Sequence, residues 1–322
     1  MRCCKKIVSG IMCVMLLLTT SAYAVDDVQK VETPHVYTVL PGSEEWNEMA
    51  VSERLDSCYV SLQEAKGMTT EALVETVVNY PYLVNMYAFD TLAEGIESVS
   101  SFFPGLAELL QRQDAVEALQ KFTVNKQHEA KSNAGSTDDA LKELHVATLE
   151  SFLTQSEVKD DALVSPRVTV KTVKTPNGTN VEAYYGLTWR DQGVSEEYAN
   201  EISNAYLEVY PSAKIVRDAS PSYNCHSYAW HSTGSNNKYW INDPSAYMDD
   251  GSYSMSFSKA GNKIVYEQVK GHKIIHSGIV KSSNGGKTTV TSKWGTYALY
   301  SHERSDCPYS EEFGSISTSY WE

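Results

Sequence analysis

Tyr223-Asn224-Cys225-His226-Ser227-Tyr228-Ala229-Trp230 carries the strongest chemical signal in this chain. Pro221 precedes it, and an apolar-aromatic run follows Cys225. That order predicts a short helix over 224–230 with Cys225 in its first turn. There, unpaired backbone N–H groups and the helix dipole favour a thiolate. The same groups, the N–H of Cys225 included, can receive an oxyanion. The plainer alternative is a buried small residue or half of a disulfide. Downstream, residues 263–266, 274–280 and 288–292 read as strands, and Ser282-Ser283-Asn284-Gly285-Gly286 is a hairpin turn joining the last two. A helix followed by antiparallel strands is an α+β layout.

His276 lies in His272-Lys273-Ile274-Ile275-His276-Ser277-Gly278-Ile279-Val280, where β-branched neighbours place it on a strand. A neutral imidazole there can deprotonate a thiol, and the small pair Ser277-Gly278 would leave room for a substrate backbone. A core histidine held by one hydrogen bond is the plainer reading. His272 and His276 are four apart, which on a strand is roughly 13 Å, too far for one metal ion. His226 and His231 are also poorly spaced. No metal site and no cofactor motif is read.

Upstream the signals are helical from about 43 to 165, with periodic segments at 44–66, 69–80, 89–103 and 106–125, a loop at 131–136 and a last helix capped at Thr137. Thr69-Thr70-Glu71 reads as one helix start and Pro81 as its stop. This predicts an all-helical bundle of about four or five helices. At Pro166 the period changes to two. Residues 167–173 alternate, Thr175-Pro176-Asn177-Gly178 is turn chemistry, and 181–185 returns as a paired strand. One amphipathic helix then fills 194–210, up to Pro211.

The first 24 residues read as a secretory signal peptide: Arg2, Lys5 and Lys6, an apolar run to Thr20, then Ala22-Tyr23-Ala24. Residues 25–42 read as a loose leader. No later segment has the length and hydropathy of a membrane span. Removing the signal takes three positive charges and no negative ones, so the formal charge moves from −14 to −17. An acidic surface of that size repels nucleic acid and anionic membranes. Cys58, Cys225 and Cys307 remain. An odd count in an oxidising compartment leaves a thiol free or paired between chains. A Cys58–Cys307 bridge or no bridge leaves Cys225 a thiol; a Cys225–Cys307 bridge removes it.

Taken together, these segments resemble the CHAP-type and related papain-like amidases and endopeptidases of bacteria. In that family a cysteine opens a helix followed by aromatic residues, and a later strand carries histidine followed by small and aliphatic residues. A Gly-Asp-Ile-Val-like strand lies between. Here Asn224 to Trp230 matches the first element. His276-Ser277-Gly278-Ile279-Val280, 51 residues beyond Cys225, matches the second. Gly261-Asn262-Lys263-Ile264-Val265-Tyr266 is similar to the intervening strand, with Asn for Asp. The resemblance covers roughly 220–310 and implies a papain-like domain over 211–322, with a Cys-bearing helix packed on an antiparallel sheet. It implies Cys225 as nucleophile and His276 as base, in a secreted hydrolase of peptides or peptidoglycan stem peptides. The family's third polar residue sits one strand after the histidine. Thr289-Val290-Thr291-Ser292-Lys293-Trp294-Gly295 offers no carboxylate or amide there. Ser292 is the residue able to accept from the imidazole, and His302 is the second candidate. Asn224, Trp240 and Trp294 are expected to line the cleft. The helical part is similar to N-terminal regions of uncharacterised secreted bacterial proteins, through Met68-Thr69-Thr70-Glu71-Ala72-Leu73 and Asn79-Tyr80-Pro81. A non-catalytic binding protein on the same fold and a transglutaminase-like transferase are the competing expectations.

Overall fold

The computed structural model describes residues 30–130, 137–154 and 168–322. The signal segment at 1–24, the start of the leader, the loop at 131–136, the Thr137 side chain expected to cap the last helix and the junction near 165 lie outside what is described.

Among the described residues, eight helices fill the first part: α1 Glu44–Glu48, α2 Val51–Ser57, α3 Leu62–Gly67, α4 Thr70–Val78, α5 Leu92–Phe102, α6 Pro104–Leu109, α7 Ala115–Ala130 and α8 Thr137–Thr154. The segment 44–66, read as one helix, is three. Met49 and Ala50 adopt extended backbone, and the Ser43 and Ser61 hydroxyls each accept a hydrogen bond from the N–H three residues on, which starts a new helix. α4 begins where the sequence placed it, with Thr69 Oγ1 accepting from Ala72 N at 3.2 Å. Thr91 caps α5, so Phe89 and Asp90 belong to the loop before it rather than to the helix. A 3₁₀ turn, Leu83–Tyr87, leads into that loop.

The second part is built on strands. β1 Thr169–Lys174 and β2 Asn180–Tyr185 form the expected hairpin, and β4 Tyr239–Trp240 adds to β2. The larger sheet has the order β3-β9-β8-β7-β6-β10-β5, from β3 Lys214–Arg217, β5 Met255–Ser256, β6 Lys263–Gln268, β7 Lys273–Asn284, β8 Lys287–Lys293, β9 Leu299–Glu303 and β10 Ile316–Trp321. Its pairings are all antiparallel. α9 Glu196–Val209 precedes β3, and α10 Ala246–Asp249 follows β4. The fold is mixed α+β.

Alternation along β6 fixes the layers. Ile264 and Tyr266 enter a large core shared with α4, α5, α7 and α9, whereas Val265 enters a smaller one with Ala229, Trp230 and Tyr247. The sheet therefore has helices on one face and the Cys225 segment with the small sheet on the other. β7 inherits this order. His276 pairs with Tyr266 and shares the helical face, while Ser277 pairs with Val265 and shares the opposite face.

Buried charge ties the parts together. Arg54 of α2 donates to Asp306 Oδ1 at 2.7 Å and to the Val209 carbonyl at 2.8 Å. Ser212 N donates to the other Asp306 oxygen at 2.9 Å. Gly295, at φ +54°, lets the loop after β8 approach the carbonyls of residues 87–89, where a Cβ would lie 3.3 Å from the Ala88 oxygen.

Candidate active site

Cys225 opens a short helical segment as expected. Asn224 caps it: Oδ1 accepts from Ser227 N at 3.1 Å, and Tyr228 N bonds the Asn224 carbonyl. The segment passes into a π turn, Ser227–His231, closed by Ser232 N to the Ser227 carbonyl. Asn224 is wholly buried. Its amide also clasps the backbone of Ile241, donating to the carbonyl at 2.7 Å and accepting from the N–H at 3.2 Å. It anchors the Cys225 turn to the strand beside it and does not line an open cleft.

The Cys225 sulfur sits against the N–H groups of Ser277, His226 and Cys225 itself. Ser277 lies beyond the last β7–β8 pair, Ile279 with Thr291, so the thiol occupies the point where the two strands part. Cys58, Cys225 and Cys307 are all free, so Cys225 is a thiol. Burial pushes its pKa well above the usual value, the Asp90 carboxyl adds to the rise, and the three N–H groups oppose it.

His276 is fully buried, and neither ring nitrogen has a hydrogen-bond partner. Burial pulls its pKa well down, with His302 and His226 adding to the fall. Its ring lies flat on Tyr309, with centroids 3.6 Å apart and planes 8° apart, and Tyr266 stands tilted on it at 5.4 Å. Ser277 and Gly278 are small for packing rather than for substrate. Ser277 Oγ accepts from Trp230 Nε1 at 2.9 Å and pairs with His226 Nδ1 at 2.9 Å. A Cβ on Gly278 would meet Val290 Cγ1 at 2.6 Å. Burial brings His226 down to about 3, so this histidine is neutral.

Ser292 and His302 share the sheet face of His276 yet bond to each other. His302 Nδ1 donates to the Glu303 carbonyl at 2.8 Å, which leaves Nε2 to accept from the Ser292 hydroxyl at 2.8 Å. Trp294 Nε1 donates to Ser292 Oγ at 3.1 Å. Neither residue hydrogen-bonds His276. Trp294 is a core residue at 0 % exposure and not a cleft wall. Trp240, opposite Tyr184 on the small sheet, does line a groove, of about 220 Å³, with Glu182, Asn242 and Asp243. Cys225 and His276 are not among the residues lining it.

Two further charged residues lie near the thiol, and neither is marked by its sequence neighbours. Asp90, half-buried in the loop before α5, lies 3.4 and 3.5 Å from Asn224 Nδ2 through its two oxygens. Burial raises its carboxyl to about 7, with Glu94 adding and Asn224 and Lys273 opposing. Lys293 is fully buried and donates to the carbonyls of Ser220, Gly295 and Tyr297. Burial pulls its pKa down, yet three acceptors use three N–H donors, which only the ammonium carries. Nothing in the sequence around Asp90 singled it out. Lys293, a cation at the end of a strand, carries no signal in its sequence neighbours that its ammonium would be buried.

Among the described residues, no three His, Cys, Asp or Glu side chains are grouped to hold a metal ion, and no helix is long and apolar enough to cross a membrane. Comparison of the chain with protein-family models, curated proteins and solved structures finds no match.

Proposed function

We propose that this chain is an exported, papain-like cysteine hydrolase of amide bonds, acting on peptides or on the stem peptides of peptidoglycan. Cys225 Sγ attacks the carbonyl carbon as His276 takes its proton. The proton then passes to the leaving amine as the C–N bond breaks, leaving a thioester on Cys225. Water, deprotonated by His276, attacks the thioester and restores the thiol.

One observation carries the reading. His276 directly precedes Ser277, whose N–H faces the Cys225 sulfur where β7 and β8 part; its imidazole, carried on the helical face of the sheet, is fully buried with both nitrogens unpartnered. A buried polar group without a partner costs stability and calls for a functional explanation. A general base whose partners are the thiol and the substrate's leaving group supplies one.

The resting pair is neutral, since burial raises the thiol and lowers the imidazole. This burial, with Cys225 only 3 % exposed, favours the second reading, a non-catalytic binding protein on the same fold. Iodoacetamide labelling at neutral pH followed by peptide mapping separates them. The hydrolase reading expects Cys225 to react faster than Cys58 and Cys307 and to lose that advantage in His276→Ala. Reactivity no greater than that of Cys58 sinks it. Release of new amino groups from purified peptidoglycan, against release from a casein digest, then assigns the substrate.

A further inference from the structure

We propose that Tyr309 is the residue that positions the His276 imidazole, by stacking rather than by hydrogen bonding, and that it links this role to the helical region. The proposal rests on the Cys225–His276 reading above. No hydrogen bond orients the ring, because both nitrogens are without partners. Ser292 and His302 are engaged with each other, with Trp294 and with the Glu303 carbonyl. What fixes the plane of the imidazole is the parallel face of Tyr309 at 3.6 Å.

Tyr309 is itself held. Its hydroxyl donates to the Ala88 carbonyl, and the Phe89 ring meets its edge at 5.5 Å and 66°. Behind it, Ser310 N bonds the Cys307 carbonyl at 3.1 Å, and Asp306 is clamped by Arg54. The ring that supports His276 is therefore anchored to the same loop that carries Asp90 to the thiol side.

Stacking does a different job from a carboxylate or amide. It sets the ring plane and leaves both nitrogens at the ring edge, so either can serve as acceptor or donor. It also presents a π face to the imidazolium that forms when the thiol's proton arrives, an attraction that grows only on protonation. This differential stabilisation is what a base needs.

The test is the His276 dependence of Cys225 carbamidomethylation in the full chain. It is measured as the ratio of rates with His276 and with His276→Ala, in three backgrounds. A ratio removes changes in access, as in a double-mutant cycle. Wild type and Tyr309→Phe, which keeps the stacked face, are expected to show a ratio of at least about tenfold. In Tyr309→Leu the ratio is expected to fall to about one. A Tyr309→Leu ratio equal to wild type overturns the proposal, as does a Tyr309→Phe ratio near one. If Tyr309→Leu does not fold, Tyr309→Met takes its place with the same expectation. A wild-type ratio near one overturns the Cys–His reading itself, and the proposal with it.

Discussion

His276→Phe should stabilise the protein while abolishing the reactivity of Cys225. Phenylalanine keeps a flat face for Tyr309, 3.6 Å away, and removes two buried nitrogens that have no partners. Each unpartnered buried polar group costs about 1–3 kcal/mol. The larger ring returns about 1–3 kcal/mol as packing strain. The net expectation at pH 7.5 is a gain of about 1–3 kcal/mol. The gain also depends on pH. Burial holds the His276 pKa well below its usual value, so the unfolded chain takes up a proton that the fold refuses. Wild type then loses stability as pH falls through about 6.5, by about 1.4 kcal/mol per unit for this group. Phenylalanine does not titrate, so its advantage widens by about 2 kcal/mol at pH 5.0. His226 and His302, brought down to about 3 and about 4, are present in both proteins and cancel. Urea midpoints at the two pH values, with unchanged m-values, give the answer. A variant less stable than wild type at pH 7.5, or a gain of equal size at both pH values, refutes the claim that these nitrogens are buried without partners.

Asp90→Asn removes the carboxyl that raises the Cys225 thiol, so the pH midpoint of Cys225 alkylation should move down; no shift, or an upward one, counts against the charge reaching the thiol. The same variant should gain stability relative to wild type as pH rises from about 4 to 7. Over that range the unfolded carboxyl ionises and the folded one, at about 7, does not. Arg54→Met leaves Asp306 buried without its partner at 2.7 Å and should cost about 3–5 kcal/mol, read as a lowered melting temperature. Adding Asp306→Leu should recover part of that loss. Gly278→Ala sets a methyl 2.6 Å from Val290 Cγ1 and should cost about 1–3 kcal/mol in urea unfolding.

Local signals were legible where they involve neighbours in sequence. The Thr69 cap and the 175–178 turn with Gly178 at φ +93° appear where their residues predict them, whereas α9 starts at Glu196 behind a Ser195 cap rather than at 194, and the turn expected over 282–286 tightens to Gly285-Gly286 because Ser282, Ser283 and Asn284 pair with Thr289, Thr288 and Lys287. The strands β6, β7 and β8 followed from β-branched runs. β9 and β10 did not, because β9 buries residues of both parities and β10 is a Ser/Thr-rich run with weak contrast. The site was half legible for the same reason. Cys225 and His276 carry chemistry in their residue types, and Asn224 capping is local. The contact of Tyr309 with Ala88 joins residues 221 apart, and that of Asp90 with Asn224 joins residues 134 apart. Nothing in the pattern of Cys307-Pro308-Tyr309 itself points to an imidazole.

The place of β10 in the sheet sets a timetable for synthesis. Residues 316–321 fill the slot between β6 and β5, so while the ribosome is still delivering them β6 has one bare flank with Ile264 and Tyr266 already apolar on one side. Pairing with a segment about fifty residues later closes slowly, because loop entropy is spent before contacts return it. The nascent chain must therefore linger as an open sheet, attractive to chaperones and to other bare strands. Deleting residues 316–321 would make that interval permanent, leaving a protein whose first symptom is aggregation during expression rather than lost chemistry.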